Sequence, residues 1–383
     1  MRRVVLYVDS LKIGGAERVT LTFARWLQRN GWEPIVLTRQ SPALDFYPIP
    51  AGVKRSVEPQ DPRWLRLLGR WGFPWRVRRL RRWLRDQEVT LAIGMTTKPA
   101  VKLLLAARPL RIPCAVSERN FPPLKPMALP WGVLRRISYR WAALHIVQTR
   151  ATGDWLRQRL GAEPQLLLPN PVQWPLPRFA PEVSPERWLA DARVPSDAPL
   201  LLAAGTKSHQ KGFDLLMPAF VEVLKQQPRA HLVILGLTQE PYRGVDQQKA
   251  LRRMLRQHPQ AQQQLHFPGR VGNMTDWYRS ATLFLLPSRY EGFPNVLLEA
   301  MAEGCCCVAA DCPHGPSDLL RHDVDGLLLP MKTGSRQWAD CLVQLLQDPR
   351  RRDRLQRQAA TVRQRFSDAA LEQQLVQSLE RLH

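Results

Sequence analysis

"ATLFLLPSRYEGFPNVLLEAMAEG", residues 281 to 304, runs through strand, turn and helix in one stretch. The apolar "ATLFLLPS" reads as a strand buried on both faces, the kind found in parallel sheets. Pro294 suits the first turn of a helix and Gly304 its C-cap, so "NVLLEAMAE" reads as that helix. Between the two lies a Gly-Phe-Pro turn with an acid on each side. Glu291 precedes the helix, and Glu299 lies about five residues inside it. At ~1.5 Å per residue the two acids are ~10 Å apart along the axis.

The rest of the chain repeats this alternation twice. "RVVLYVD", "EPIVLT", "VTLAIG", "IPCAVSE", "ALHIVQT" and "PQLLLPN" read as strands with room for helices between them. "GGAERVTLTFARWLQRNG" is a helix closed by Gly31. From about 171 to 197 the texture changes, with five prolines between Pro171 and Pro185. That composition marks a linker. The rhythm then restarts with strands "PLLLAAG", "AHLVILG", "QLHFPG", "ATLFLLPS", "GCCCVAAD" and "GLLLP". The predicted layout is an N-terminal Rossmann-like domain over 1–172 and a linker over 173–197. A C-terminal Rossmann-like domain over 198–365 follows, with a last helix over 366–383 that packs back on the first domain. Two doubly wound α/β domains of this kind face a cleft and bind ligands at the C-terminal edges of their sheets.

Composition limits the function classes. The chain has 383 residues, with 56 Lys and Arg against 33 Asp and Glu, a net charge of +23. No apolar run reaches the ~18 residues of a transmembrane helix. The N-terminal apolar run is cut by Asp9 and reads as a strand rather than a signal peptide. Six cysteines show no Cys-x-x-Cys pair, and "GCCCVAAD" reads as a buried strand, which suits a reducing, cytoplasmic setting. The charge points to polyanions. "RWLRLLGRWGFPWRVRRLRRWLR", residues 63–85, holds nine arginines, four tryptophans and no acid. "LPWGVLRRISYRW", residues 129–141, is a second cluster. Arg with Trp and Leu on amphipathic helices suits an anionic membrane surface; a solvated basic face is the alternative. No nucleic-acid-binding signature is visible, so nucleic acid is not expected as a partner.

The residues that carry chemistry gather at strand ends of the second half. The helix N-terminus behind Glu291, with amides at Gly292, Phe293 and Asn295, favours a phosphate. Carboxylates are strong hydroxyl acceptors. An anion site with a carboxylate on each side matches ribose, diphosphate and sugar, the parts of a nucleotide sugar. "AAGTKSHQKGFDLL" adds Thr206, Lys207 and Lys211 between Gly205 and Gly212, a loop suited to a diphosphate though not a Walker A loop. In "FPGRVGNM", Arg270 lies between Gly269 and Gly272, a turn where a nucleobase can approach the backbone. "VSERN" places Glu118, Arg119 and Asn120 at a strand end of the first half, facing the acceptor or the donor phosphates, or forming a structural salt bridge. "DVD" at 323–325 matches an Asp-x-Asp metal pattern but reads as a turn before Gly326. No metal and no cofactor are expected.

"PSRYEGFPNVLLEAMAEGCCCVAAD" resembles the Glu-x7-Glu region of the retaining glycosyltransferases of family four, which adopt the GT-B fold. "KIGGAERVTLTFARWL", "VSERN", "LPNPV", "QKGFDLLMPAF", "FPGRV" and "DCPHGPSDLLRHDVDGLLLP" fall in the family's order along nearly the whole chain. The resemblance implies that Glu291 contacts the transferred sugar and Glu299 the ribose hydroxyls. It gives Lys211 the donor diphosphate and the leaving group, places Gly15 near the diphosphate from the first domain, and puts His314 near the sugar pocket. The family's Arg after the first C-terminal-domain strand is Thr206 here, with Lys207 next to it. The implied activity is retaining transfer of a hexose from a nucleotide sugar, such as a UDP-sugar, to a lipid-linked saccharide acceptor. This belongs to lipopolysaccharide or surface polysaccharide assembly on the cytoplasmic face of the plasma membrane. The alternatives are an inactive GT-B scaffold that binds membrane or RNA, and a sugar-nucleotide epimerase.

Overall fold

The computed structural model describes residues 2–12, 14–119, 122–124, 127–242 and 244–382. It contains two compact units, Met1–Asn170 with Ala369–His383, and Pro171–Asp368.

The first unit is built on seven strands: β1 (Arg3–Val8), β2 (Glu33–Thr38), β3 (Lys54–Val57), β4 (Leu91–Gly94), β5 (Cys114–Glu118), β6 (Leu144–Val147) and β7 (Gln165–Leu167). They form one sheet in the order β3-β2-β1-β4-β5-β6-β7. All pairings are parallel, with Leu6 of β1 level with Val36 on one side and Ile93 on the other. The inner strands are buried on both faces because helices cover both sides. One face packs against the helix Gly15–Arg29, together with Leu371, Leu375 and Leu379 of the helix Asp368–Glu380. The other packs against Val77, Leu80 and Leu84 of the helix Phe73–Asp86 and against the helix Thr97–Ala107. β3 has no apolar signature: "KRSV" is a short, mostly half-exposed edge strand held by backbone pairing to β2.

The second unit has six strands: β8 (Leu200–Ala204), β9 (His231–Leu235), β10 (Leu265–Gly269), β11 (Leu283–Leu286), β12 (Cys307–Ala310) and β13 (Leu327–Leu329). Their order is β10-β9-β8-β11-β12-β13, again all parallel. Both units are therefore doubly wound Rossmann-like α/β sheets, the fold class expected from the sequence. All six cysteines are free thiols and five are buried. Burial pushes the Cys306 thiol up to about 12, which keeps it protonated and inert.

The Pro-rich stretch 173–197 lies along the second unit. A segment with five prolines has few amides to satisfy, and those it has are used. Phe179 donates to Gly272 O (3.0 Å), and Gly272 donates back to Pro181 O (2.7 Å). Val183 exchanges hydrogen bonds with the Asn273 amide (2.8 and 2.9 Å). The helix Pro185–Asp191 brings Trp188 edge-on to Trp277, with ring centroids 6.1 Å apart.

Candidate active site

In the second sheet the strand order reverses between β8 and β11. Loops leaving these neighbours turn to opposite faces and open a crevice at the carboxyl edge, where such sheets take ligands. Lys211 follows β8 and Glu291 follows β11. They lie 80 residues apart in sequence, and Lys211 Nζ donates to Glu291 Oε1 at 2.7 Å. Ser288 Oγ donates to the same oxygen at 2.5 Å. Glu291 is 5% exposed and the Lys211 side chain 16%. The Cys312 thiol is pushed up to about 12, first by burial and then by the charge of Glu291.

Backbone geometry sets this pair. Lys211 ends a four-residue helix, Ser208–Lys211, closed by Gly212 at φ +66°. A Cβ at Gly212 would collide with the Pro287 carbonyl, so glycine is required for the loop to reach the end of β11. A Cβ at Gly205 would lie 2.7 Å from Lys211 Cγ, so the lysine stem crosses the end of β8 where no side chain stands. Side chains then tie the two loops together. Arg289 forks onto both Asp214 oxygens (2.7 and 2.6 Å) and donates to His209 O (2.8 Å). Gln247, 8% exposed, accepts from the Ser208 amide (2.7 Å) and donates to Thr206 O (3.2 Å). Ser288, Arg289 and Gln247 carry no sequence signal of their own; each acts through a loop packed against it.

The opening stretch forms the other half of the crevice. The helix runs Asn295–Ala302, with Pro294 as its N-cap rather than in its first turn. The expected free amide at Asn295 is corrected by the structure: it donates to Phe293 O at 3.0 Å. The proline cap tightens the turn onto itself and uses that donor locally. Gly292, Phe293, Asn295 and Glu299 do share one turn-and-helix element, continuous with Glu291. Glu299, half-buried, accepts from Tyr278 Oη at 3.4 Å, and the same hydroxyl reaches Val296 O at 3.1 Å. Tyr278 was not foreseen. The "CPHGPSD" loop packs on the same turn: a Cβ at Gly315 would fall 2.7 Å from Pro294 Cδ. His314 next to it adopts φ +73°.

Other expected residues stand further from the pair. Thr206 and Lys207 are exposed on the loop that carries Lys211. Arg270 is exposed after β10, two strands away from β8. The space at Gly272 is filled by Phe179, whose carbonyl a Cβ there would strike. At that glycine the chain's own backbone makes the close approach expected of a nucleobase. The Asp-x-Asp pair lies in a turn and is held by arginines: Asp323 by Arg351 (2.8 Å) and Arg354 (3.2 Å), Asp325 by Arg321 (2.8 Å) and Arg365 (3.1 Å).

Gly15, Glu118 and Arg119 belong to the first unit, and Asn120 lies outside the described residues. Gly15 opens the helix Gly15–Arg29, whose N-cap carbonyl at Gly14 accepts from Tyr47 Oη at 3.4 Å. Glu118 is 2% exposed and accepts from Arg135 Nη2, Tyr139 Oη and Thr97 Oγ1, each at 3.0 Å. Of the two readings of this glutamate, the structure shows the salt bridge. At the order reversal of this sheet, between β1 and β4, the structure adds a cluster the sequence did not flag. Arg39 pairs with Asp9 (3.2 Å), Thr96 Oγ1 lies 3.5 Å from Asp9 Oδ2, and Glu58 joins Lys102 and Tyr7 Oη.

Residues 13–173 match the family model described as "Glycosyltransferase Family 4", and residues 198–348 the model described as "Glycosyl transferases group 1". The chain is 31% identical over 213 residues to the D-inositol 3-phosphate glycosyltransferase of Thermobispora bispora, covering 54% of this chain and 49% of that protein. It is 29% identical over 253 residues to the lipopolysaccharide core biosynthesis mannosyltransferase LpcC of Rhizobium leguminosarum bv. viciae, covering 65% of this chain and 63% of that one. The chain spans between 34% and 53% of the length of several curated relatives that it matches. In fold it is similar to Anabaena HepE, solved in complex with UDP, with a TM-score of 0.82, 20% identity and full coverage of both chains. The two matched halves, each carrying its doubly wound sheet, place the chain in the group 1, family-four glycosyltransferases of GT-B fold.

Proposed function

We propose that this protein is a retaining glycosyltransferase that moves a hexose from a nucleotide sugar to a lipid-linked saccharide acceptor in lipopolysaccharide or surface polysaccharide assembly. The observation that carries the proposal is the Lys211–Glu291 pair at the order reversal of the second sheet. The lysine ammonium donates to the glutamate. A donor diphosphate offers the ammonium a second anionic partner, and the charge that builds on the leaving phosphate strengthens that contact in the transition state. Glu291, held by Ser288, keeps acceptor capacity for the sugar hydroxyls. Glu299, fixed by Tyr278, takes the ribose. Lys211, with Lys207 on the same loop, supplies the positive charge that other systems draw from a metal. The HepE complex with UDP favours a UDP-sugar, and LpcC supports a hexose and the lipopolysaccharide setting.

The test is a thermal-shift series with UDP, GDP, ADP and dTDP and their sugar adducts. A nucleotide at ~100 times its Kd stabilises the fold by about 2.7 kcal/mol. One base is expected to raise the melting temperature, with the effect reduced in Glu299→Ala. No shift with any nucleotide at millimolar concentration rules the reading out.

A surface suited to membrane docking fits a lipid-linked acceptor. Among the described residues no helix is long and apolar enough to cross a membrane. Trp64, Leu67, Trp71 and Trp75 are 50%, 88%, 73% and 42% exposed, and Leu129, Val133 and Ile137 at least half so. Phe73 and Trp131, with ring centroids 5.3 Å apart, join these two segments. Arg63, Arg66, Arg70, Arg78, Arg82, Arg85, Arg136 and Arg140 are exposed on the same segments. Aromatic and aliphatic side chains among arginines are suited to an anionic lipid interface, at ~1 kcal/mol per basic residue. Replacing Arg66, Arg70, Arg78 and Arg82 with glutamine is expected to weaken binding to phosphatidylglycerol-containing vesicles by at least ~100-fold. Vesicle binding unchanged by these substitutions and by salt would exclude this surface.

A further inference from the structure

Arg119 follows β5 and is 7% exposed. None of its three guanidinium nitrogens has a hydrogen-bond partner among the described residues. Its guanidinium carbon lies 5.3 Å from the Phe23 ring centroid. A cation–π contact offsets only part of the desolvation cost of a buried ion without a partner. Burial pulls this arginine down to about 9, the direction expected of a cation held without a counter-charge. The obvious counter-charge is its neighbour Glu118, but that carboxylate is taken by Arg135, Tyr139 and Thr97. The two side chains also part company. Glu118 bonds Tyr139, which packs in the core on one face of the sheet, while Phe23 packs in the core on the other. On the Phe23 face strand alternation also places Ser117, next to Ala115 of that core. Ser117 is fully buried and its hydroxyl has no partner among the described residues. Two buried donor groups are thus left unpaired at the carboxyl end of a central strand, the edge where open α/β sheets bind ligands.

We infer that Arg119, backed by the Ser117 hydroxyl, is a binding site in the first unit for a phosphoryl oxyanion of a substrate. The planar guanidinium offers two parallel donors to such a group, a geometry that an ammonium cannot reproduce. The inference rests on the proposed glycosyl transfer only for whose phosphate it is: the diphosphate of the nucleotide donor, or a phosphate on the acceptor.

Calorimetric titration of the full chain at fixed ionic strength tests it, with inorganic pyrophosphate and UDP as probes, on wild type, Arg119→Met and Arg119→Lys. Pyrophosphate is expected to bind at least ~30-fold more weakly to Arg119→Met and ~5-fold more weakly to Arg119→Lys. The melting temperature of ligand-free Arg119→Met is expected to equal or exceed that of wild type, because an unpaired buried charge has been removed. If UDP affinity falls in parallel and UDP-saturated protein no longer shows the Arg119-dependent pyrophosphate site, the oxyanion belongs to the donor. If UDP affinity holds and UDP-saturated wild type still binds pyrophosphate through Arg119, it belongs to the acceptor. Pyrophosphate binding through Arg119 without any nucleotide binding keeps this site and removes the glycosyl-transfer reading. Equal pyrophosphate affinity in all three proteins overturns the inference, as does a lower melting temperature in Arg119→Met with pyrophosphate binding intact. Should Arg119→Met not fold, Arg119→Lys decides by its pyrophosphate affinity alone.

Discussion

Turnover of Lys211→Met is expected to fall about 10²–10³-fold, the usual cost of losing one preorganised charge at a developing anion. The same substitution is expected to destabilise the fold by about 2–4 kcal/mol. The reason is Glu291, 5% exposed, whose Oε1 keeps only the Ser288 hydroxyl of its two donors. Breaking a fully buried ion pair costs about 3–5 kcal/mol; the 16% exposure of the Lys211 side chain lowers that figure. The double variant Lys211→Met/Glu291→Gln then separates the two effects. It should regain most of the stability, because no unpaired charge remains, and none of the turnover. Urea melts and donor-dependent sugar transfer measure both. A single variant that loses stability yet keeps its turnover would make the pair a structural clamp.

Glu118→Ala is expected to cost about 3–5 kcal/mol, since it strands a buried arginine, a buried tyrosine hydroxyl and a half-buried threonine hydroxyl at once. Arg135 is 6% exposed, and Tyr139 and Thr97 bond the same carboxylate. For a unit of this size, 1 kcal/mol shifts the melting temperature by ~2–4 °C, so a fall of about 10 °C is expected. Glu118→Gln keeps an acceptor for the hydroxyls and should lose less. Donor affinity should stay within twofold in both. A small change in melting temperature with a large rise in acceptor KM would return Glu118 to the ligand-facing role that its place at a strand end suggested.

The sheets were legible because burial on both faces leaves a simple mark. "VVLYV", "LLLAA" and "LFLL" are unbroken apolar runs, and each lies in a strand. "KRSV" escaped because an edge strand needs only backbone pairing, which composition does not record. The acids around the Gly-Phe-Pro turn were legible as a pair, and Lys211 as a basic loop residue. Their contact was not, since it depends on β8 and β11 being neighbours across 80 residues of chain. Asn295 shows the opposite failure: a local rule promised an open amide, and a one-residue shift of the cap closed it. Asp9, Arg39, Glu58 and Lys102 are scattered along the sequence, and only the parallel strands bring them to one edge. The isolation of Arg119 was hidden for the same reason, because it follows from what Glu118 does on the other side of the sheet.

The helix Asp368–Glu380 places three leucines in the core of the first unit, although the whole of the second unit precedes it in the chain. On the ribosome this reverses the usual N-to-C order of completion. The second unit is contiguous and can close as soon as it emerges, while the first, begun earlier, waits with an open flank. Until that helix arrives, the flank exposes the part of the apolar core that Leu371, Leu375 and Leu379 cover, the kind of surface that chaperones read.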